Sequence, residues 1–363
     1  MKESNEMVNP LVDKIYFLRN KALKNRKSIS LDQLKKPVSF WIKEDRLQNE
    51  IGKEFTIILR TNGCSWALSR EGGCSMCGYI QDASIQKVND EIILTQFNHA
   101  LQNKIKEIEQ DDCNYILKIF NSGSFFDDSE INKVARKEIY SKIIEIDEIK
   151  EVVIESRIDY ITIEKLEEIK DSLRGKHVEI GIGLESANDH IRNQYINKGL
   201  LLRDFENIIE MCKQYGVGIK AYLLFKPLFL NEQSAIDDCA SSIRYCLDIG
   251  INTISINPIN IQRGSLVEYL WYQNRYRPPW FYSLFNCLQN TISNKDLKEC
   301  RIVSDPSGAG TKRGIHNCLK RDCNKNMTEM LKNFVLKQDI NELDIINHKC
   351  ECKKLYDYQK HFY

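Results

Sequence analysis

Along the middle of this chain, two hydrophobic periods take turns. Short apolar runs rich in Ile, Val, Tyr and Phe predict strands at Phe55–Arg60, Tyr115–Phe120, Glu151–Ser156, His177–Ser186, Val217–Phe225 and Thr253–Ile259. Between them, apolar residues recur every three or four positions and predict helices near 91–110, 130–147, 162–173, 202–215 and 232–248. Strands alternating with amphipathic helices imply βα units on a parallel sheet, hence an α/β fold. Six units make a partial (β/α)6 barrel. A full barrel needs two more, which the tail after about residue 265 is not expected to supply. Residues 1–50 read as a helical, polar extension ending near Pro37 and the amphipathic SFWIK stretch. Residues 51–265 form the barrel core, and residues 266–363 a small C-terminal domain.

Composition narrows the setting. Of 363 residues, 42% are hydrophobic and 28% charged, ordinary for a globular protein, and the net charge of +1 leaves any nucleic-acid contact to a local patch. The start MKESNEMVNP is polar and no apolar run approaches a membrane span, so a cytoplasmic protein is expected. Thirteen cysteines in a reducing compartment point to metal sites or buried thiols. Cys113, Cys212, Cys239, Cys246 and Cys287 sit in apolar patterns and read as small buried hydrophobes.

The first strand runs into RTNGCSWALSREGGCSMCGYI, with Cys64, Cys74 and Cys77. Three thiolates on one glycine-bearing loop can hold three irons of a [4Fe–4S] cluster and leave the fourth open for chemistry; electron-transfer clusters use four cysteines. In parallel α/β folds, ligands gather at the carboxyl ends of the strands. Those ends carry Asn121-Ser122-Gly123-Ser124-Phe125-Phe126-Asp127, Glu155-Ser156-Arg157, Gly183-Leu184-Glu185-Ser186, Lys226-Pro227 and Asn257-Pro258. Any one of them reads as a turn; together, beside the cysteine loop, they read as one polar rim.

A second thiol group stands in the tail. GIHNCLKRDCNK contributes His316, Cys318 and Cys323, and HKCECKK contributes His348, Cys350 and Cys352. Four thiolates suit a tetrahedral structural zinc that would clip a tail lacking a core of its own. A second iron–sulfur cluster, free thiols, or His316 replacing one cysteine are the alternatives. Lys312, Arg313, Lys320, Arg321, Lys325, Lys349, Lys353 and Lys354 surround the group as a phosphate-contact patch. Upstream, Tyr269, Trp271, Tyr272, Tyr276 and Trp280 interleave with Arg275 and Arg277 before Pro278 and Pro279. Such a stretch can stack bases and hold phosphates, or it can pack a helix on the barrel. The basic Ser304–Gly314 loop lacks the Gly-Lys-Ser/Thr of a phosphate loop.

The CSMC ending after the first strand, with six βα units, resembles the radical S-adenosylmethionine (SAM) superfamily, although the gap between Cys64 and Cys74 is wider than is usual there. With NSGSFFD and GLES the chain resembles the branch containing the catalytic subunit of Elongator; no acetyltransferase domain is expected after the barrel. RTNGCSWALSREGGCSMCGY, NSGSFFD, GIHNCLKRDCNK and HKCECKK together resemble the archaeosine-forming radical SAM family of archaea, over roughly residues 50–363. The resemblance implies that Cys64, Cys74 and Cys77 ligate a [4Fe–4S] cluster whose open iron chelates SAM. It implies that Ser122, Gly123 and Ser124 approach the methionyl amino group, and that Glu185, with Ser186, binds the ribose. Arg157 or Lys220 would pair with the methionyl carboxylate, and Gly78 and Tyr79 would face the adenine.

The same resemblance implies a tRNA substrate bearing a lysine-modified 7-deazaguanine (preQ0-lysine) at position 15. A lysine transferase of the ArcS type would act as partner, and a reductase or ferredoxin as electron donor. The reaction would be lyase cleavage of the lysine C–N bond to archaeosine. Asp127, Asp128 and Asp159 are candidates for gripping a substrate amine. Rival readings are sulfur or methylthio insertion into RNA, an Elongator-like role, and a non-catalytic zinc-stabilised RNA-binding protein.

Overall fold

The computed structural model describes residues 11–26, 28–346 and 348–362. Its centre is an eight-stranded sheet in sequential order: β1 (Ser39–Arg46), β2 (Ile51–Leu59), β3 (Tyr115–Asn121), β4 (Ile149–Glu155), β5 (His177–Glu185), β6 (Gly218–Phe225), β7 (Thr253–Pro258) and β8 (Arg301–Val303). β2 to β8 pair in parallel, and β1 folds back antiparallel on β2. β2 to β7 match the six expected strands within a few residues at each end. Their Ile, Val and Phe positions bury on the outer face beneath the helices 90–109, 133–144, 163–172, 202–214 and 232–248. Asn89, Asn132, Thr162 and Asn231 start four of these helices by accepting a main-chain N–H with the side chain.

Two elements depart from expectation. Ser39–Arg46 is a strand, so the N-terminal extension is not wholly helical, and a boundary at residue 50 falls in the β1–β2 turn. The tail also supplies one further parallel strand, β8, after the helix Phe281–Thr291. Both were masked by composition: SFWIKEDR is half polar because one face of β1 is open, and β8 spans three residues. The expectation for residues 1–10 lies outside the described residues. Cys212, Cys239, Cys246 and Cys287 are buried as expected; Cys113 is not, standing half-exposed in the turn before β3.

The sheet is curled, as one residue shows. From β8, Arg301 donates to the main-chain oxygen of Arg46 at the end of β1 (3.0 Å), and its guanidinium meets Glu151 on β4 (2.7 Å) and Glu179 on β5 (3.0 Å). A flat sheet would hold β1 and β8 seven strand spacings apart, roughly 34 Å. The inner face is lined by charge. Lys118 joins Asp45 and Glu54, and Lys43 joins Glu54 and Asp305. Among the described residues, no helix is long and apolar enough to cross a membrane.

Candidate active site

β2 delivers the cysteine loop to the carboxyl ends of the strands. Cys64 opens the short helix Ser65–Leu68, and its N–H donates to Ser122 O at the end of β3 (3.1 Å). Gly73 (φ +93) turns the chain into Cys74, and the Cys77 N–H closes a turn on Cys74 O (3.1 Å). Burial pushes all three thiols above the ordinary cysteine range, Cys77 to about 12, while the cations Arg157 and Lys198 oppose the rise at Cys64 and Cys74. Three mutually interacting thiols beside two cations suit an iron–sulfur cube, which would have to displace their protons.

Three distant segments clasp this loop. Arg19, buried on the helix Val12–Lys24, donates to Gly72 O and to Ser69 O (2.9 Å). Asn197, after β5, donates through Nδ2 to Glu71 O and Gly73 O (both 3.1 Å) and accepts the Trp66 indole N–H on its carbonyl (3.0 Å). Gln262, after β7, accepts the Gly78 N–H (2.6 Å). A Cβ on Gly78 would stand 2.6 Å from Arg263 O, so the glycine is needed for close approach of two backbones, whether or not an adenine lies near. Tyr79 keeps about half its surface open (55%) inside the rim, where burial and its neighbours Cys77 and Glu155 push the phenol up to about 12.

The β3 turn is organised by Glu130, which sequence reasoning passed over. Its carboxylate accepts the Ser124 N–H (2.9 Å), the Asn121 amide (2.9 Å) and the Thr61 hydroxyl (2.5 Å); burial raises it to about 7. A side chain on Gly123 would collide with that carboxylate. The Ser124 hydroxyl accepts the Arg157 N–H (3.1 Å), and Arg157 is itself held by Asp159 (2.8 Å) and Lys198 O (3.0 Å) over the Trp66 ring. The candidate amine-gripping acids are engaged within the chain: Asp127 caps Ser129, Asp128 pairs with Arg136, and Asp159 with Arg157.

At the end of β5, Glu185 adopts φ +67 at a break in strand register, a conformation that non-glycine residues rarely hold. Its carboxylate pairs with Lys198 Nζ (2.7 Å), which also neighbours Cys74. Ser186 turns inward, wholly buried, and donates to Asp238 (2.6 Å), so it pins the turn. Lys220 does not reach the rim: it stands five residues below the end of β6, roughly 16 Å down the strand. The rim cation beside Glu185 and Cys74 is Lys198, in a polar connection with no motif to mark it.

The C-terminal thiols converge as expected. Cys318, Cys323, Cys350 and Cys352 present sulfurs that all lie within 4.8 Å of one another; Cys318–Cys350 is 3.9 Å and Cys323–Cys352 is 3.8 Å. Bonds of about 2.3 Å to a tetrahedral ion require sulfurs about 3.8 Å apart, so the donor set fits one four-coordinate metal. His316 is outside the set, bonded to Gly314 O (2.8 Å); His348 is nearer, with Nε2 3.3 Å from Cys323 Sγ. The aromatic stretch divides. Trp280 packs in the interior, while Trp271, Tyr272 and the largely buried Tyr276 join Arg277, Lys312 and His316 around a cavity of about 470 Å³.

No protein-family model matches the chain. Archaeosine synthase subunit beta of Methanosarcina acetivorans is 36% identical over 334 residues, covering 92% of both chains. That of Thermococcus kodakarensis is 36% identical over 321 residues, covering 88% of this chain and 96% of its own. The chain belongs to the archaeosine synthase subunit beta family. An uncharacterized protein of Methanocaldococcus jannaschii is 43% identical over 341 residues, 94% of this chain and 90% of that one. Solved structures are more distant. Elp3 of Methanocaldococcus infernus covers 70% of this chain and 59% of its own at 14% identity and a TM-score of 0.49. Methylornithine synthase (PylB) covers 98% and 93% at 13% and 0.45. This member of the archaeosine synthase beta family carries two thiol groups of different build: three thiols on one loop at the barrel rim and four converging ones in the tail.

Proposed function

We propose that this chain is a radical SAM tRNA-modifying enzyme that acts on a lysine-bearing deazaguanine and leaves archaeosine. The observation that carries the reading is the three-thiol loop at the carboxyl ends of the strands, in a chain similar over nine-tenths of its length to archaeosine synthase beta subunits. Cys64, Cys74 and Cys77 would hold a [4Fe–4S] cluster. When bound and supplied with one electron, the cluster and SAM would provide the 5′-deoxyadenosyl radical chemistry that C–N cleavage of the substrate requires.

The chain's own residues position and exclude water. Arg19, Asn197 and Gln262 fix the loop. Glu130 shapes the Ser122–Ser124 turn for an amino group, and Lys198 and Arg157 offer positive charge near Cys74 for a carboxylate. Glu185 faces the same rim with its strained backbone. The four C-terminal thiols would hold zinc, stapling a tail whose exposed lysines and arginines would contact tRNA phosphates. The subunit name of the relatives supports a partner, which on this reading is the lysine transferase, and electrons would come from a ferredoxin or reductase.

The test is anaerobic reconstitution with iron and sulfide, then incubation with SAM and dithionite, with and without lysine-bearing tRNA. Mass spectrometry would read 5′-deoxyadenosine and nucleosides. Archaeosine formed together with deoxyadenosine is expected. Deoxyadenosine with unchanged tRNA would overturn the substrate. No cluster and no deoxyadenosine from folded protein would overturn the enzyme.

A further inference from the structure

The floor of the barrel is paired: Lys118 serves Asp45 and Glu54, and Arg301 serves Glu151 and Glu179. Beside this network, in the register row that also holds Arg301, stands a different group. Glu155 on β4, Gly181 on β5 and Lys220 on β6 are register partners, so Glu155 and Lys220 flank a glycine from two strands apart, about 10 Å between their Cα atoms. Among the described residues, Lys220 has no ion pair within 4 Å, though only 6% of it is exposed. Burial lowers its ammonium to about 8 and raises the Glu155 carboxyl to about 7. Tyr222, next on the same face of β6, spans the gap. Its ring lies 5.4 Å from Lys220 Nζ, and its buried hydroxyl is turned to the Glu155 carboxylate, its hydrogen-bonding neighbour. A Cβ on Gly181 would stand 2.8 Å from the Tyr222 ring and 3.2 Å from Glu155 Cγ, so the glycine makes room for that ring, while Glu155 and Tyr222, both only half-buried, leave the slot between Glu155 and Lys220 accessible from the inner face.

A buried lysine without an ion pair, facing an acid across a gap, is costly unless a ligand satisfies it. We propose that this slot is a binding site for an α-amino-acid head group, with Glu155 taking the ammonium and Lys220 and the Tyr222 hydroxyl taking the carboxylate. A zwitterion offers both charges on one carbon, matching an acid and a base that face each other without touching. Glu155 ends β4 beside Tyr79 of the rim and Lys220 stands lower on β6, so the side chain on that head group would have the cluster loop within reach. Resting on the reading given under Proposed function, the occupant is the lysine carried by the modified base, and Glu155, Lys220 and Tyr222 are its positioning residues.

The experiment is calorimetric titration of the reconstituted full chain with three probes: Nε-acetyl-lysine, N-acetylcadaverine (no carboxylate) and 6-acetamidohexanoate (no amine). Wild type is expected to bind the first at least tenfold tighter than either of the others. Lys220→Met should erase the carboxylate preference, Glu155→Gln the amine preference, and Lys220→Arg should retain most of it, all with unchanged iron content and visible absorption. Tyr222→Phe, the least disruptive change, should weaken Nε-acetyl-lysine severalfold. Equal affinities for the probes, no binding of Nε-acetyl-lysine, or discrimination unaltered in Lys220→Met would overturn the site. Discrimination by wild type without turnover of lysine-bearing tRNA would sink the substrate and leave the slot standing. Turnover with an unchanged KM in Lys220→Met would do the reverse.

Discussion

Glu130 occupies the space that a side chain at Gly123 would need. The carboxylate gathers donors from beyond the end of β2 at Thr61 and from Asn121 and Ser124 of the β3 turn, so two segments of the rim meet on one buried group. Gly123→Ala must therefore move Glu130 or the turn. It should cost about 1–3 kcal/mol, the usual range for overpacking. Chemical denaturation would show it as a lower midpoint at unchanged slope, and an unaltered midpoint would mean that the turn gives way freely.

Arg19 ties the N-terminal helix to the cysteine loop through Gly72 O and Ser69 O. Arg19→Met keeps the stem and removes the donors. Iron bound per chain after reconstitution should fall severalfold while far-ultraviolet circular dichroism stays unchanged. Full iron loading in the variant would show that Asn197 and Gln262 hold the loop unaided.

The four tail thiols should carry one metal independent of the rim cluster. Elemental analysis is expected to give about one zinc and about four irons per chain. Cys323→Ser should lose the zinc, keep the iron and lower Tm by several degrees, because Cys323 links the helix Arg321–Lys337 to the segment carrying Cys350 and Cys352. Iron in place of zinc at this site would point to a second cluster.

Glu179 predicts an acid limb. Burial alone would raise its pKa, but Arg301 and His177 overcome that and hold it near 2. A carboxylate depressed on folding contributes stability that is present above the unfolded value, about 4.3, and is lost as pH falls toward 2. Thermal melts between pH 7 and 3 should therefore show Tm falling below about pH 4.5. Glu179→Gln should flatten that limb and cost about 3 kcal/mol at pH 7, since it leaves Arg301 short of a partner. Equal acid sensitivity in both proteins would place the limb elsewhere.

Strands β2 to β7, their helices and both thiol groups were legible because each depends on local signals: a period of two or of about four residues, a glycine before a cysteine, a short spacing between thiols. Lys220 was recognised as a chemical residue and assigned to the wrong level of the barrel, since a strand's sequence shows which face a residue takes but not how far it lies below the rim. Arg19, Glu130 and Lys198 were missed. Each matters only because the chain brings it to a loop between 13 and about 125 residues away in sequence, or turns it back on its own strand end. β8 was missed because three residues carry too little period, and the partner that stabilises them, β7, lies more than 40 residues earlier.

The sequence by itself determined the βα alternation, the rim that carries the chemistry and the two thiol sets, because backbone sterics, hydrophobic period and ligand type act over a few residues. Only the tertiary structure decided which side chains neutralise one another inside the curled sheet and which are left over. That difference rests on distances between strands, set by register and curl. Glu151, Glu179 and Arg301 saturate one another at the floor. Glu155, Lys220 and Tyr222 remain around the Gly181 gap, and no property of those residues read singly separates the two groups.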